Sequence, residues 1–443
     1  VVHALSFPFD FLWGVSTSAH QFEGGNLDNQ WAAWERRGGI RSGHACAAAC
    51  NWWQEAEADL DLCRDLGLNA IRISVDWGRV EPAEGQWNRS AMARYRAMLC
   101  AAVQRGMRPF VTLHHFTHPQ WLEESGGFTA MSAAGKFALF AERMAGELGE
   151  FCRDWLTFNE PNVYASFGYV FGEFPPGLRY RMYDYALVMA TMHRAHALAY
   201  ERIHRVQPEA AVGIATNWVE FQAASNSASD RLMAYAYDTV FNRSTLQMLT
   251  CGNLQFPFGA LAPEVPEVMQ KIDFIGLNVY NRLHVRAPWN EASRRSGGLF
   301  VPDDAPQGDH GVELPYGEAY PDAIVAAATE YASLGVPLYI TENGVPDRAD
   351  RIRPWVIVQS LRRIEDLVTR GVDVRGYFHW SVVDNFEWSE GWTLRFGLYE
   401  MDPVTQTRRP RASAALYRDI IARNGLSYEQ LSRFSEPPAP CSG

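Results

Sequence analysis

Along the chain, short runs of β-branched, aromatic and aliphatic residues alternate with longer stretches in which apolar positions return every three to four residues. The short runs have the length and make-up of buried strands, the longer ones the spacing of amphipathic helices. Strands are predicted at 11–18 (FLWGVSTS), 69–75 (NAIRISV), 108–116 (RPFVTLHHF), 154–160 (DWLTFNE), 210–218 (AAVGIATNW), 272–280 (IDFIGLNVY), 337–343 (PLYITEN) and 374–381 (VRGYFHWS). Helices are predicted at 52–66, 89–105, 130–148, 181–206, 229–250, 320–334, 353–370 and 411–424. In the first helix Ala56, Leu60 and Cys63 share one face. Several helices stop at a glycine just ahead of the next strand, namely Gly67, Gly106, Gly149, Gly335 and Gly371. A left-handed residue ending a helix costs glycine little.

Strands alternating with helices predict a parallel sheet, and eight units is the number that closes it into a (β/α)8 TIM barrel. A doubly wound open sheet is the competitor, weakened because no glycine-rich phosphate loop follows the first strand. The loops after strands, such as 19–51, 161–180 and 281–319, are much longer than those after helices. In a barrel all of these open on the C-terminal face, where active sites sit. The expected organisation is one catalytic domain over 1–427 and a partly disordered tail over 428–443, which ends in SEPPAPCSG.

Composition narrows the partners. A net charge of −11 with no basic stripe excludes a nucleic-acid footprint and argues against anionic membranes. No run of 18 apolar residues exists to span a bilayer. The opening VVHALSFPFDF lacks a basic segment followed by an apolar one, so a cytoplasmic location is expected; export with the signal removed ahead of Val1 is also compatible. Seven cysteines, at 46, 50, 63, 100, 152, 251 and 441, are an odd, scattered set that reads as reduced thiols. The 15 tryptophans suit either a large core or a pocket with flat apolar faces for sugars. Oligomeric state is not legible in any of this.

Chemistry enters at two strand ends. In WLTFNEPNV an apolar run stops at Asn159-Glu160-Pro161. Pro161 cannot continue a ladder and biases Glu160 toward an extended backbone. Strand seven repeats the arrangement in LYITENG, where Glu342 ends the strand. Barrel closure would bring both glutamates to one rim, and two facing carboxyls are the equipment for cutting a glycosidic bond. A single glutamate ending a strand is more often a solvated or salt-bridged residue; two in matching places of an eight-unit chain favour chemistry. The histidines of HHFTH (114–118) invite a metal reading. On a strand, 114 and 115 face opposite sides, and zinc needs three or four convergent ligands. Neither a metal nor an organic cofactor is expected.

The motifs FLWGVSTSAHQFEG, RISVDW, TLHHFTHPQWL, TFNEP, DFIGLNVY, YITENG and HWSVVDNFEWSEGW, in that order over roughly residues 6–425, resemble the β-glycosidases of glycoside hydrolase family one. The resemblance implies a retaining, exo-acting enzyme that hydrolyses terminal β-linked, non-phosphorylated monosaccharides, β-glucosides first, through a covalent glycosyl-enzyme. It implies Glu160 as general acid/base and Glu342 as nucleophile, with Arg72, Tyr280 and Asn278 in support. Gln21 and His115 would meet the 3- and 4-hydroxyls and Asn159 the 2-hydroxyl. Glu387 and Trp388 would clamp the outer edge, Trp380 would underlie the ring, and Phe396 would form a neighbouring wall. Phe116, Trp52, Trp392 and His379 depart from the family's usual residues; none removes a catalytic group, and they bear on the shape of the leaving-group side. A transglycosylase on the same site is an alternative, and a catalytically silent sugar-binding protein a more distant one.

Overall fold

The computed structural model describes residues 3–287, 297–312 and 316–438. Eight parallel strands form the barrel: β1 Leu12–Ser16, β2 Ala70–Ser74, β3 Arg108–His114, β4 Asp154–Asn159, β5 Ala211–Ala223, β6 Phe274–Val285, β7 Leu338–Asn343 and β8 Val374–His379. Each pairs in parallel with the next, β8 pairs with β1, and β7 pairs with both β6 and β8, so the sheet is closed. The (β/α)8 expectation is met.

Around the barrel lie α1 Trp52–Asp65, α2 Arg89–Gln104, α3 Ala133–Leu148, α4 Met182–Val206, α5 Ala228–Tyr237, α6 Ala323–Tyr331, α7 Arg353–Thr369 and α8 Ala412–Arg423. Ala56, Leu60 and Cys63 of α1 are fully buried against the sheet, as their spacing requires. The predicted helix at 229–250 is instead broken: α5 runs into a π-turn at Asp238–Asn242 before a helix at Ser244–Cys251. The Asn242 amide in that turn exchanges hydrogen bonds with the backbone of Val219 at 2.8 and 3.0 Å, tertiary contacts that override the helical repeat.

Gly67, Gly106, Gly335 and Gly371 take the left-handed conformation expected of them. Gly149 does not, with φ −61°. There a Cβ would stand 2.5 Å from the Ala145 carbonyl oxygen, so the glycine serves close approach rather than handedness. Strands β5 and β6 run past the rim as a paired ribbon, on which Leu299–Phe300 and Glu318–Ala319 add antiparallel partners. Residues Tyr428–Arg433, expected in the tail, form a short helix with a capping box between Ser427 and Gln430. Residues 439–443 lie outside the described residues.

The barrel floor is a packed layer. Phe110, Leu156, Phe274, Tyr339 and Phe378 point inward and pack with Ala70 and Ala215 into one cluster. Phe110 meets Phe274, Tyr339 and Phe378 with ring centroids 5.2–5.8 Å apart. The polar cluster around Arg72, Asn159, Asn278 and Glu342 lies above this layer, toward the C-terminal mouth.

Candidate active site

Strict alternation upward from Leu156 would send Phe158 inward and Asn159 outward. The reverse is found. Phe158 stacks on Phe137 of α3 at 4.4 Å, while Asn159 points into the barrel toward Arg72. The pairing of β4 with β5 shifts register between Leu156 and Asn159, and that of β7 with β6 shifts between Ile340 and Glu342. Such irregularities re-aim side chains at strand ends. Glu160 then adopts φ 45°, ψ 62°, a left-handed residue ahead of the helix Pro161–Tyr169. The extended backbone expected before Pro161 is thus not taken; the backbone N–H of Glu160 donates to the Ala215 carbonyl at 2.7 Å. Phe116 and Trp388 also carry positive φ. Side chains held there cost roughly 1–3 kcal/mol each and persist where the surroundings over-determine them.

A relay of hydrogen bonds joins the two glutamates. Tyr280 Oη donates to Glu342 Oε2 at 2.6 Å, and Arg72 Nη1 to Glu342 Oε1 at 2.5 Å. Arg72 Nη2 reaches Asn159 Oδ1 at 2.6 Å, and its Nε is fixed on Thr112 Oγ1 at 2.8 Å. Asn278 Nδ2 donates both to Asn159 Oδ1 at 3.0 Å and to Glu160 Oε1 at 2.8 Å. Asn217 Nδ2 gives Glu160 Oε1 a second bond at 3.0 Å. Thr341 Oγ1 donates to Asn278 Oδ1 at 2.7 Å and sets the orientation of that amide.

The two acids differ in their partners. Glu342 faces a full cation and a phenol. Glu160 faces two neutral amides on one oxygen, and its Oε2 has no protein partner among the described residues. Burial, and next the charge of Glu342, push Glu160 up to about 8. Burial also raises Glu342, but Arg72, the Tyr280 hydroxyl and Asn278 pull it back. Of the coupled pair, Glu342 is the one that ionises first.

Both glutamates line one cavity of about 280 Å³ together with His115, Asn159, Tyr280, Trp380, Glu387 and Trp388. The Asn159 carboxamide oxygen is taken by Arg72 and Asn278, so its Nδ2 must donate to His115 Nε2 at 3.1 Å. The proton of His115 is then on Nδ1, which is buried and unpartnered. Burial holds this ring neutral, well below the usual histidine range. Among the described residues that donor has no acceptor.

The outer edge is formed by Glu387 and Trp388. Burial and the charges of Glu342 and Glu160 push Glu387 up to about 8. Trp388 stacks at 7° on His20 and lies 5.9 Å from the His115 ring.

Two expected contacts stand one layer back. Gln21 is wholly buried and donates to Asn385, the Phe386 carbonyl and Glu387, bracing the carboxyl from behind. Phe396 is buried edge-on to Tyr280 and Tyr316.

Sequence reasoning missed Asn217, Tyr316 and the mouth residues Arg41 and Glu173. Asn217 lay in plain view two residues beyond an inward position of β5. The others come from loops, where no period marks them. His114 packs among Phe128, Phe158 and Tyr164 and meets His118 at 3.4 Å, while His115 lines the cavity. Of the departing residues, Phe116 lines the cavity. Trp52 is spent on Asp59 and Trp392 on the Ala45 carbonyl, while burial lowers His379 to about 3.

A closed eight-stranded barrel with paired buried carboxyls at its C-terminal mouth is the architecture of a glycoside hydrolase. The family model described as glycosyl hydrolase family 1 matches residues 3–426, and the chain belongs to that family. It is 30% identical to a β-galactosidase of Pyrococcus woesei over 95% of this chain and 98% of that one. With β-glucosidase A of Thermotoga maritima the identity is also 30%, over 95% and 98%. Among solved structures, a β-glycosidase from Pyrococcus horikoshii superposes with TM-score 0.88 at 36% identity, covering 98% of this chain and 99% of that one. The β-glucosidase from Thermotoga maritima in complex with glucoimidazole gives 0.86 at 27%, covering 95% and 100%. Among the described residues no helix is long and apolar enough to cross a membrane.

Proposed function

We propose that this glycoside hydrolase is a retaining, exo-acting β-glycosidase for plain, non-phosphorylated sugars, with β-glucosides foremost. The observation that carries the reading is the unequal partnering of the two carboxyls. Glu342, opposite Arg72 and Tyr280, is the nucleophile: its carboxylate attacks the anomeric carbon, and the bond to the leaving oxygen breaks. Glu160 gives its proton to that oxygen through the unpartnered Oε2. The nucleophile has then become a neutral ester, which removes one of the two causes that raise Glu160. Its affinity for protons falls, and it acts as base on the incoming water, which cleaves the ester and restores both groups.

His115 and Asn159 support the sugar hydroxyls, Trp380 and Trp388 its faces, and Glu387 its outer edge. Gln21 acts on the sugar through Glu387, and Phe396 through Tyr280. The glucoimidazole complex of the Thermotoga maritima relative supports a glucose-shaped occupant. No metal or organic cofactor enters these steps. A panel of aryl β-glycosides, with the Glu342→Ala protein as blank, tests the reading. Turnover of the β-glucoside by the wild type and not by the blank is expected; equal rates would refute it.

A further inference from the structure

The cavity that holds the two glutamates has two unlike halves. Toward β8 and β1 it is built from Trp380, Glu387 and Trp388, with His115 beside them. Toward the segments that follow β4, β5 and β6, past Glu160 and Asn217, the wall formed by the described residues is mostly apolar. Phe167, Phe171 and Phe174 come from the segment after β4, Phe241 from the π-turn, Leu283 from the β6 ribbon and Phe300 from its antiparallel partner. These rings support one another: Phe167 meets Phe171 at 5.5 Å and Phe174 at 5.1 Å, and Phe174 meets Phe116 at 5.3 Å.

Among the described residues, polar groups on that side are few and most are engaged. The Asn217 amide donates to Glu160, and Asn281 Nδ2 donates to the Tyr316 carbonyl at 2.6 Å. At the mouth Arg41 bridges Glu173 at 2.5 Å and Glu390 at 2.8 Å, and Val312 N–H caps the latter carboxylate at 2.6 Å. Among the described residues Asn281 Oδ1 is buried without a partner and Asn217 Oδ1 accepts no hydrogen bond, so two side-chain acceptors are left.

We infer that the leaving-group side of this cavity is a binding site for a bulky hydrophobic alcohol or phenol, so that the substrates are alkyl or aryl β-glycosides rather than sugar–sugar linkages. A second sugar ring seated there would give up several hydroxyl–water bonds for the two amide oxygens of Asn217 and Asn281, and each buried unpaired hydroxyl is costly. An alkyl chain or aromatic ring gives up none and gains the wall. This rests on the glycosidase reading for which side the leaving group occupies.

The test separates binding from chemistry. Methyl, butyl, hexyl and octyl β-D-glucosides and cellobiose are titrated calorimetrically into the Glu342→Ala protein, while the wild type is assayed on 4-nitrophenyl β-D-glucoside. Each methylene buried should tighten binding about fourfold, so roughly fifteenfold from butyl to hexyl. The slope against chain length is the readout, so glycone preference drops out of it. Adding Phe171→Gln or Phe167→Gln to the Glu342→Ala protein, with unfolding checked alongside, should flatten the slope. A flat slope in the parent protein, or cellobiose binding more tightly than the hexyl glucoside, overturns the inference. A steep slope without wild-type turnover of the nitrophenyl glycoside would leave the apolar site standing and sink the glycosidase reading instead.

Discussion

Replacing Glu160 by Gln should abolish one property of the protein and improve another. Glutamine keeps Oε1 for the Asn217 and Asn278 amides and puts Nε2 where Oε2 was, facing no donor among the described residues. Wild-type Glu160 stands near 8 in the fold against an ordinary value of 4.5. As pH rises between those values the unfolded chain releases its proton while the native state keeps it. The native state then binds more protons, so wild-type stability falls across this window and levels off above it. At roughly 1.4 kcal/mol per pH unit the loss is on the order of 4–5 kcal/mol by pH 8.5. The glutamine protein carries no such loss. With an unfolding entropy of about 2.1 cal/mol/K per residue, that corresponds to a Tm gap of about 5 °C. Calorimetric melts of both proteins at half-unit steps from pH 5 to pH 8.5 should therefore diverge, the variant ending higher. Hydrolysis of an alkyl β-glucoside should disappear in the variant, and in the wild type should decline above about pH 8. Activated aryl glycosides, which need little protonation, should be spared in part. Parallel melting curves would refute the claim that Glu160 is held as a neutral buried acid.

Three further outcomes follow from the same geometry. Glu342→Ala should lose turnover by several orders of magnitude, and azide, entering from the vacated face, should partly restore it as the α-glycosyl azide; absence of rescue with a folded protein counts against the nucleophile role. Proton NMR of the first sugar released should show the β-anomer before mutarotation, as a retaining pair about 5–5.5 Å apart requires; the α-anomer first would end that assignment. An aryl β-glucoside 6-phosphate should have a kcat/KM at least about a hundredfold below the plain glucoside. Its near-dianion would meet Glu387 and Glu390, and equal use of both would remove Glu387 from the sugar site.

The repeats, the barrel and the two glutamates were legible because each rests on a local signal: strand period, helix period, a polar residue ending an apolar run. Arg72 and Tyr280 were legible only through motif resemblance, since nothing local says that an arginine in RIS will cross the barrel to Glu342. What stayed hidden depends on closure. The left-handed turn at Glu160 contradicts the local influence of Pro161, and is held by the bond to the Ala215 carbonyl and by the helix that Pro161 begins. The break in the helix at 229–250 depends on Asn242 finding the Val219 backbone. The bracket of Arg41, Glu173 and Glu390 joins three loops far apart in sequence, and no pattern within any one of them announces it.

One cavity holds three glutamates with their carboxyls close together, two buried and Glu387 partly buried, and residue type cannot tell them apart. Their donors can. Glu342 has a guanidinium and a phenol, one on each oxygen. Glu160 has two amides on a single oxygen. Glu387 has one amide, from Gln21 at 3.2 Å, which that nitrogen shares with two other acceptors. Charge-assisted bonds are roughly twice as strong as neutral ones, so the first proton leaves Glu342. Its negative charge then raises the other two. The order of ionisation is therefore set outside the carboxyls, by Arg72, which Thr112 and Asn159 hold in place. It follows that Arg72→Met, which removes no reacting atom, should shift the acidic limb of the kcat/KM profile to higher pH as well as lower the rate. An unshifted limb would mean that Arg72 merely packs the barrel, and that something else keeps Glu342 charged.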